Sequence, residues 1–93
     1  MSNFFVHESS FIDDNVIIGD KTKIWHFSHI QSGVKIGEKC ILGQNVNVGN
    51  NVIIAAKSGV TKNIDNNAIV AGFPAIDIKI WKKNIINQYK KIR

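Results

Sequence analysis

Three histidines, His7, His26 and His29, are the groups in this chain best suited to passing protons near neutral pH. Phe5, Phe11, Trp25 and Phe27 stand close beside them in the sequence. An imidazole in such a setting suits the role of general base toward an attacking amine or hydroxyl, and His26 and His29 are the candidates. Lysines offer a second kind of chemistry. Lys57 and Lys62, with the C-terminal lysines, are placed to meet the phosphates of an anionic co-substrate, although a solvated lysine has the same signature. The single cysteine, Cys40, excludes an internal disulfide. No phosphate-cradling glycine loop, triad spacing or nucleic-acid motif occurs.

Length and charge bound the rest. A chain of 93 residues makes one domain of modest core, which stacking of repeats or self-association would stabilise. The net charge is +5. Lys79, Lys82, Lys83, Lys90, Lys91 and Arg93 crowd the last segment without an acidic residue, while the chain before them is close to neutral. A basic tail on a neutral body points to an anionic partner or to a solvated helix face. Nucleic acid is not the expected partner. No apolar run is long enough to span a bilayer and the N-terminus lacks the pattern of a secretory signal, so a cytoplasmic location is expected.

The elements that must position these residues follow from one period. Aliphatic residues recur at every sixth position, from Val6 and Ile12 through Ile18, Ile24, Ile30, Ile36, Leu42, Val48 and Ile54 to Val60. Two positions before each stands a small or β-branched residue, among them Ser10, Thr22, Ser28, Val34, Cys40, Val46 and Ser58. A period of six matches neither a helix nor a lone strand. It matches a short strand, whose alternate residues point inward, followed by a corner. Three such sides close a coil of 18 residues. Asp14-Asn15, Asp20-Lys21, Gln44-Asn45 and Asn50-Asn51 fall at the corners, where Asn and Asp tolerate left-handed backbone angles.

The expected fold is therefore an all-β solenoid, a short parallel β-helix of about three coils over residues 1–63. The period is lost after Val60. Residues 64–76, with Gly72 and Pro74, read as a loop with a strand-like piece at Ala68–Ala71. Asp77 is a candidate N-cap, and Ile78, Trp81, Ile85, Tyr89 and Ile92 follow at helical spacing, so 77–93 reads as an amphipathic, basic α-helix.

The 18-residue coil also sorts the outward residues. His7 stacks over Trp25, and Phe11, His29 and Asn47 form a second column. His26 and Phe27 fall at the corner between them. An edge this rich in aromatic and imidazole groups marks an interface or a ligand groove. No carboxylate or cysteine stacks in register with the histidines, so no metal site is expected. Cys40 takes an inward position and reads as core.

These motifs resemble the hexapeptide-repeat acyltransferase superfamily over nearly the whole chain. Residues 3–50, with TKIWHFSHI and GQNVNVG, resemble the start of the nucleotide-amino-sugar N-acetyltransferases of surface-polysaccharide synthesis. Residues 54–93, with IAAKSGVTKNI, AGFPA and a Trp-containing basic segment, resemble the C-terminus of the UDP-3-O-acylglucosamine N-acyltransferases of lipid A (lipopolysaccharide) synthesis. The resemblance implies a left-handed winding, a homotrimer, and an active site in the cleft between subunits. It implies transfer of an acetyl or longer acyl group from acetyl-CoA or an acyl carrier protein, as co-substrate rather than tightly bound cofactor, to the amine of a nucleotide-linked sugar. Trp25, Phe27 and Asn47 would then lie on the acceptor side, and Lys57 with Gly72, Phe73, Pro74 and Ala75 on the donor side. Both groups carry more coils than this chain, and the lipid A enzymes place a catalytic histidine on a middle coil that it lacks. The alternative expectation is thus a catalytically silent, internally truncated β-helix trimer with a structural or regulatory role.

Overall fold

The computed structural model describes residues 3–78. Within them the chain forms β1 (Phe5–Val6), β2 (Phe11–Ile12), β3 (Ile17–Ile18), β4 (Lys23–Ile24), β5 (His29–Ile30), β6 (Lys35–Ile36), β7 (Ile41–Leu42), β8 (Asn47–Val48), β9 (Ile53–Ile54), β10 (Gly59–Val60), β11 (Ile69–Ala71) and β12 (Ile76–Asp77). Every third strand pairs in parallel. The first face is β1-β4-β7-β10, the second β2-β5-β8, and the third β3-β6-β9-β11, to which β12 adds antiparallel. This is a parallel β-solenoid of triangular section. The register is the one the period dictates: Ile24 pairs with Val6 and Leu42, and Ile30 with Ile12 and Val48.

The inward aliphatics make the core. Ile24, Ile30, Leu42 and Val48 are fully buried, each such side chain contributing roughly 1.5–3 kcal/mol. The inward small positions do more than leave room. Thr22 Oγ1 donates to the Gly37 carbonyl (2.7 Å) and accepts from the Cys40 amide (3.1 Å). Ser28 Oγ repeats this with Gly43 O (2.8 Å) and Val46 N (3.2 Å). Ser10 Oγ does so with the Trp25 carbonyl and the Ser28 amide. Each hydroxyl thus satisfies backbone groups next to the corners that the strands themselves leave unpaired.

From Asn15 to Lys57 the second residue of each corner adopts the left-handed conformation. Asn15, Lys21, Phe27, Gly33, Lys39, Asn45, Asn51 and Lys57 all have φ between +56° and +78°. The three corners differ in composition. The one after the second face carries Asn15, Gly33 and Asn51; the one after the third carries Lys21, Lys39 and Lys57; the one after the first carries Phe27 and Asn45.

The winding continues where the period is lost. Ile64 bridges Val48, and β11 stacks on β9 with Val70 opposite Ile54, so the last coil closes in 16 residues instead of 18. The strand-like piece expected at Ala68–Ala71 is the next rung, and the solenoid reaches four parallel rungs on two faces. Shortening falls between Val60 and Ile64, where no inward small residue separates the two aliphatics. Asp77 closes β12, and the rest of the expected helix, 79–93, lies outside the described residues. No helix among the described residues is long and apolar enough to cross a membrane.

Candidate functional site

The second face and the corner before it gather most of the residues singled out by sequence. Phe11, His29 and Asn47 stack in register on adjacent rungs. Along the corner the rings form a chain: Phe5 lies 5.4 Å from Trp25, Trp25 is 6.2 Å from His26, and His26 is 3.9 Å from His7 and 6.3 Å from Phe27. Phe27 is 67% exposed although its φ is +56°. A bulky residue rarely adopts that conformation, so the corner holds an aromatic ring outward at a conformational cost.

The two candidate bases sit in different settings. His29 projects from β5, with Nε2 2.8 Å from Asp13 Oδ1. The imidazole is 45% and the carboxylate 26% exposed, so the pair stays accessible. With its proton on Nε2, His29 donates to Asp13 and presents Nδ1 as an acceptor. A carboxylate that fixes ring tautomer and orientation is the usual support of an imidazole base. His26 is packed among rings, and its buried Nδ1 has no hydrogen-bond partner among the described residues. His7 takes part in the cluster differently. The Ser9 amide donates to its Nδ1 (3.1 Å), which places the ring proton on Nε2, and Ser9 Oγ accepts from the Phe27 amide (2.9 Å).

Asp13 escaped the sequence reading. It lies 16 residues before His29 and reaches it diagonally across two rungs, whereas register considers only residues 18 apart. The spacing gives no other signal. No group of three or more metal-ligating side chains occurs among the described residues. Cys40 is buried, with Sγ 3.1 Å from the Ala55 carbonyl, and burial pushes its thiol pKa above the ordinary value, which disfavours the thiolate.

The residues assigned to a donor lie elsewhere on the prism. Ala71–Ala75 turns back over the end of the first face: the Gly59 amide donates to Gly72 O (2.9 Å), and the Ala75 amide donates to Gly59 O (2.6 Å). Phe73, 71% exposed, lays its ring over Gly59, and a Cβ there would come within 2.2 Å of Phe73 Cδ2. Lys57 stands just below, at the corner leading to β10. Within one chain, therefore, His26, His29, Trp25, Phe27 and Asn47 come together, and Lys57 with Gly72, Phe73, Pro74 and Ala75 come together, on different edges.

The described residues form a triangular parallel solenoid wound on a six-residue period. Residues 15–50 match the bacterial transferase hexapeptide family (six repeats). Over 81 residues the chain is 36% identical to a probable UDP-3-O-acylglucosamine N-acyltransferase 2, mitochondrial, of Arabidopsis thaliana, a match that covers 81% of this chain and 27% of that protein. A maltose O-acetyltransferase from Clostridium difficile 630 superposes with a TM-score of 0.62 at 26% identity, over 82% of this chain and 56% of the other. A hexapeptide-repeat acetyltransferase from Vibrio cholerae O1 biovar eltor, solved with acetyl coenzyme A, superposes at 0.60 with 17% identity, over 81% and 63% of the two chains, and shares the fold.

Proposed function

We propose that this chain is an acyltransferase unit that moves an acetyl or longer acyl group from a thioester donor to the amine of a nucleotide-linked amino sugar. The observation that carries the reading is the His29–Asp13 pair, held at 2.8 Å on an accessible face beside an aromatic edge. The names of the relatives, an acylglucosamine N-acyltransferase and a maltose O-acetyltransferase, support the reaction class.

The chemistry asked of the site is simple. The acceptor nitrogen attacks the thioester carbonyl carbon. His29 Nδ1 takes the proton that the amine loses, and Asp13 stabilises the resulting imidazolium through Nε2–H. The C–S bond then breaks, and the thiolate leaves with that proton as a free thiol. Trp25, Phe27 and Asn47 hold the acceptor beside His29. Lys57 and the loop Gly72, Phe73, Pro74 and Ala75 hold the donor, acetyl-CoA or an acyl carrier protein. Because the two groups occupy different edges of one chain, a complete site takes them from two copies, and this supports assembly as a homotrimer.

Calorimetric titration with acetyl-CoA and sedimentation of the protein test this reading. The expected results are saturable binding of one acetyl-CoA per subunit and the mass of a trimer. A stable monomer removes the two-copy site. A trimer that binds no acetyl-CoA favours the silent β-helix unless an acylated carrier protein binds in its place.

A further inference from the structure

Counted along the sequence, the solenoid is nearly neutral; in space it is not. Of the six lysines between residues 3 and 78, five lie on or beside one corner. Lys21, Lys39 and Lys57 occupy its left-handed position on successive rungs, about 4.8 Å apart. Lys23 points outward from β4 on one flank and Lys35 from β6 on the other. Asp20 and Glu38 are the acidic residues at this corner, whereas Glu8, Asp13, Asp14 and Asp65 lie at the other two. Among the described residues no salt bridge joins any of these lysines to a carboxylate.

Two features of this arrangement work against the fold on its own. Stacked ammonium groups repel each other, and lysine is a poorer left-handed residue than the asparagine used at the neighbouring corner. A second lysine corner is excluded as the occupant by the same repulsion. The edge has a further property: Ile17, Ile41 and Ile53 are exposed on the flanking strands. It lacks arginine for bidentate phosphate contacts, and beside the ladder the exposed aliphatics are joined by Phe5, next to Lys23, and by Phe73 over Gly59. A row of lysines between exposed aliphatics matches an acidic amphipathic helix, which shows carboxylates along one stripe and apolar side chains beside it.

We infer that this lysine corner is a docking surface for an acidic amphipathic helix of a partner protein. The inference does not rest on acyl transfer: Lys21, Lys39, Lys23 and Lys35 have no part in that reading, and the test reads binding alone. The probe is a fluorescein-labelled helical peptide with a glutamate stripe flanked by leucines, titrated against the full chain by anisotropy at low and physiological salt. Single-stranded DNA serves as the second probe. The Lys21→Asn, Lys39→Asn double variant removes charge while giving the corner the residue its backbone favours, so it should melt no lower than the parent. The expected result is salt-sensitive peptide binding, weakened about tenfold or more in that variant. Binding should survive replacement of Lys79, Lys82, Lys83, Lys90, Lys91 and Arg93 by Gln. Equal affinity of parent and double variant, loss of binding on neutralising the tail, or tighter binding of the DNA would each overturn the inference.

Discussion

Two corners of the same prism use one backbone conformation with opposite chemistry. At Asn15, Gly33 and Asn51, φ is +62°, +78° and +58°; at Lys21, Lys39 and Lys57 it is +63°, +57° and +62°. The first set is what a left-handed position selects, because Asn bonds its own backbone there and Gly has no Cβ to clash. The second set gains nothing from the conformation. The corner with Phe27 departs further still. Where residue and backbone agree, the side chain is accounted for by folding. Where they disagree, the conformation costs stability that the side chain's own backbone preference does not repay.

Changes at the corners should separate these roles, and a change in the shared core should not. Ile30, on the second face, is fully buried in the shared core. Ile30→Asp places an unpaired carboxylate in the prism, and the expected outcome is loss of the cooperative melt and of the folded circular dichroism spectrum. A folded variant would contradict the assigned register. Gly33→Val is the next largest. A Cβ at Gly33 would lie 2.2 Å from Asn51 Oδ1 at a φ of +78°, so chemical denaturation should show a loss of about 2–3 kcal/mol. A smaller change is expected from Phe27→Asn, and in the other direction. Relief of the left-handed strain should raise stability by about 1 kcal/mol, seen as a higher melting temperature, while the KM for the acceptor rises. Higher stability with an unaltered KM would make Phe27 an interface residue.

Much of this was legible in the sequence because a solenoid repeats its geometry. One period placed the inward aliphatics, the hydroxyls beneath the corners, and the columns His7 over Trp25 and Phe11 over His29 over Asn47. What escaped was whatever departs from that period or cuts across it. Ile64 pairs with Val48 at a spacing of 16 residues, so the last coil looked like a loop. Asp13 meets His29 on a diagonal, a contact decided by side-chain reach and not by register. The lysine corner is a different case. Lys21, Lys39 and Lys57 stand at the coil spacing in plain view, but a charge count along the chain averages them against carboxylates that fold onto other edges. Net charge per segment carries no information about direction; the register does.

The most direct test of the central claim is thiol release in the presence of acetyl-CoA and a UDP- or dTDP-linked amino sugar, followed for the parent chain and for His29→Ala. Steady turnover by the parent, with kcat lowered about 10²–10⁴-fold in the variant and KM for the donor little changed, is the predicted result. Turnover undiminished in His29→Ala would contradict the account by removing His29 as the base, and a trimeric parent inactive with both acetyl-CoA and acyl carrier protein would contradict the acyltransferase reading itself.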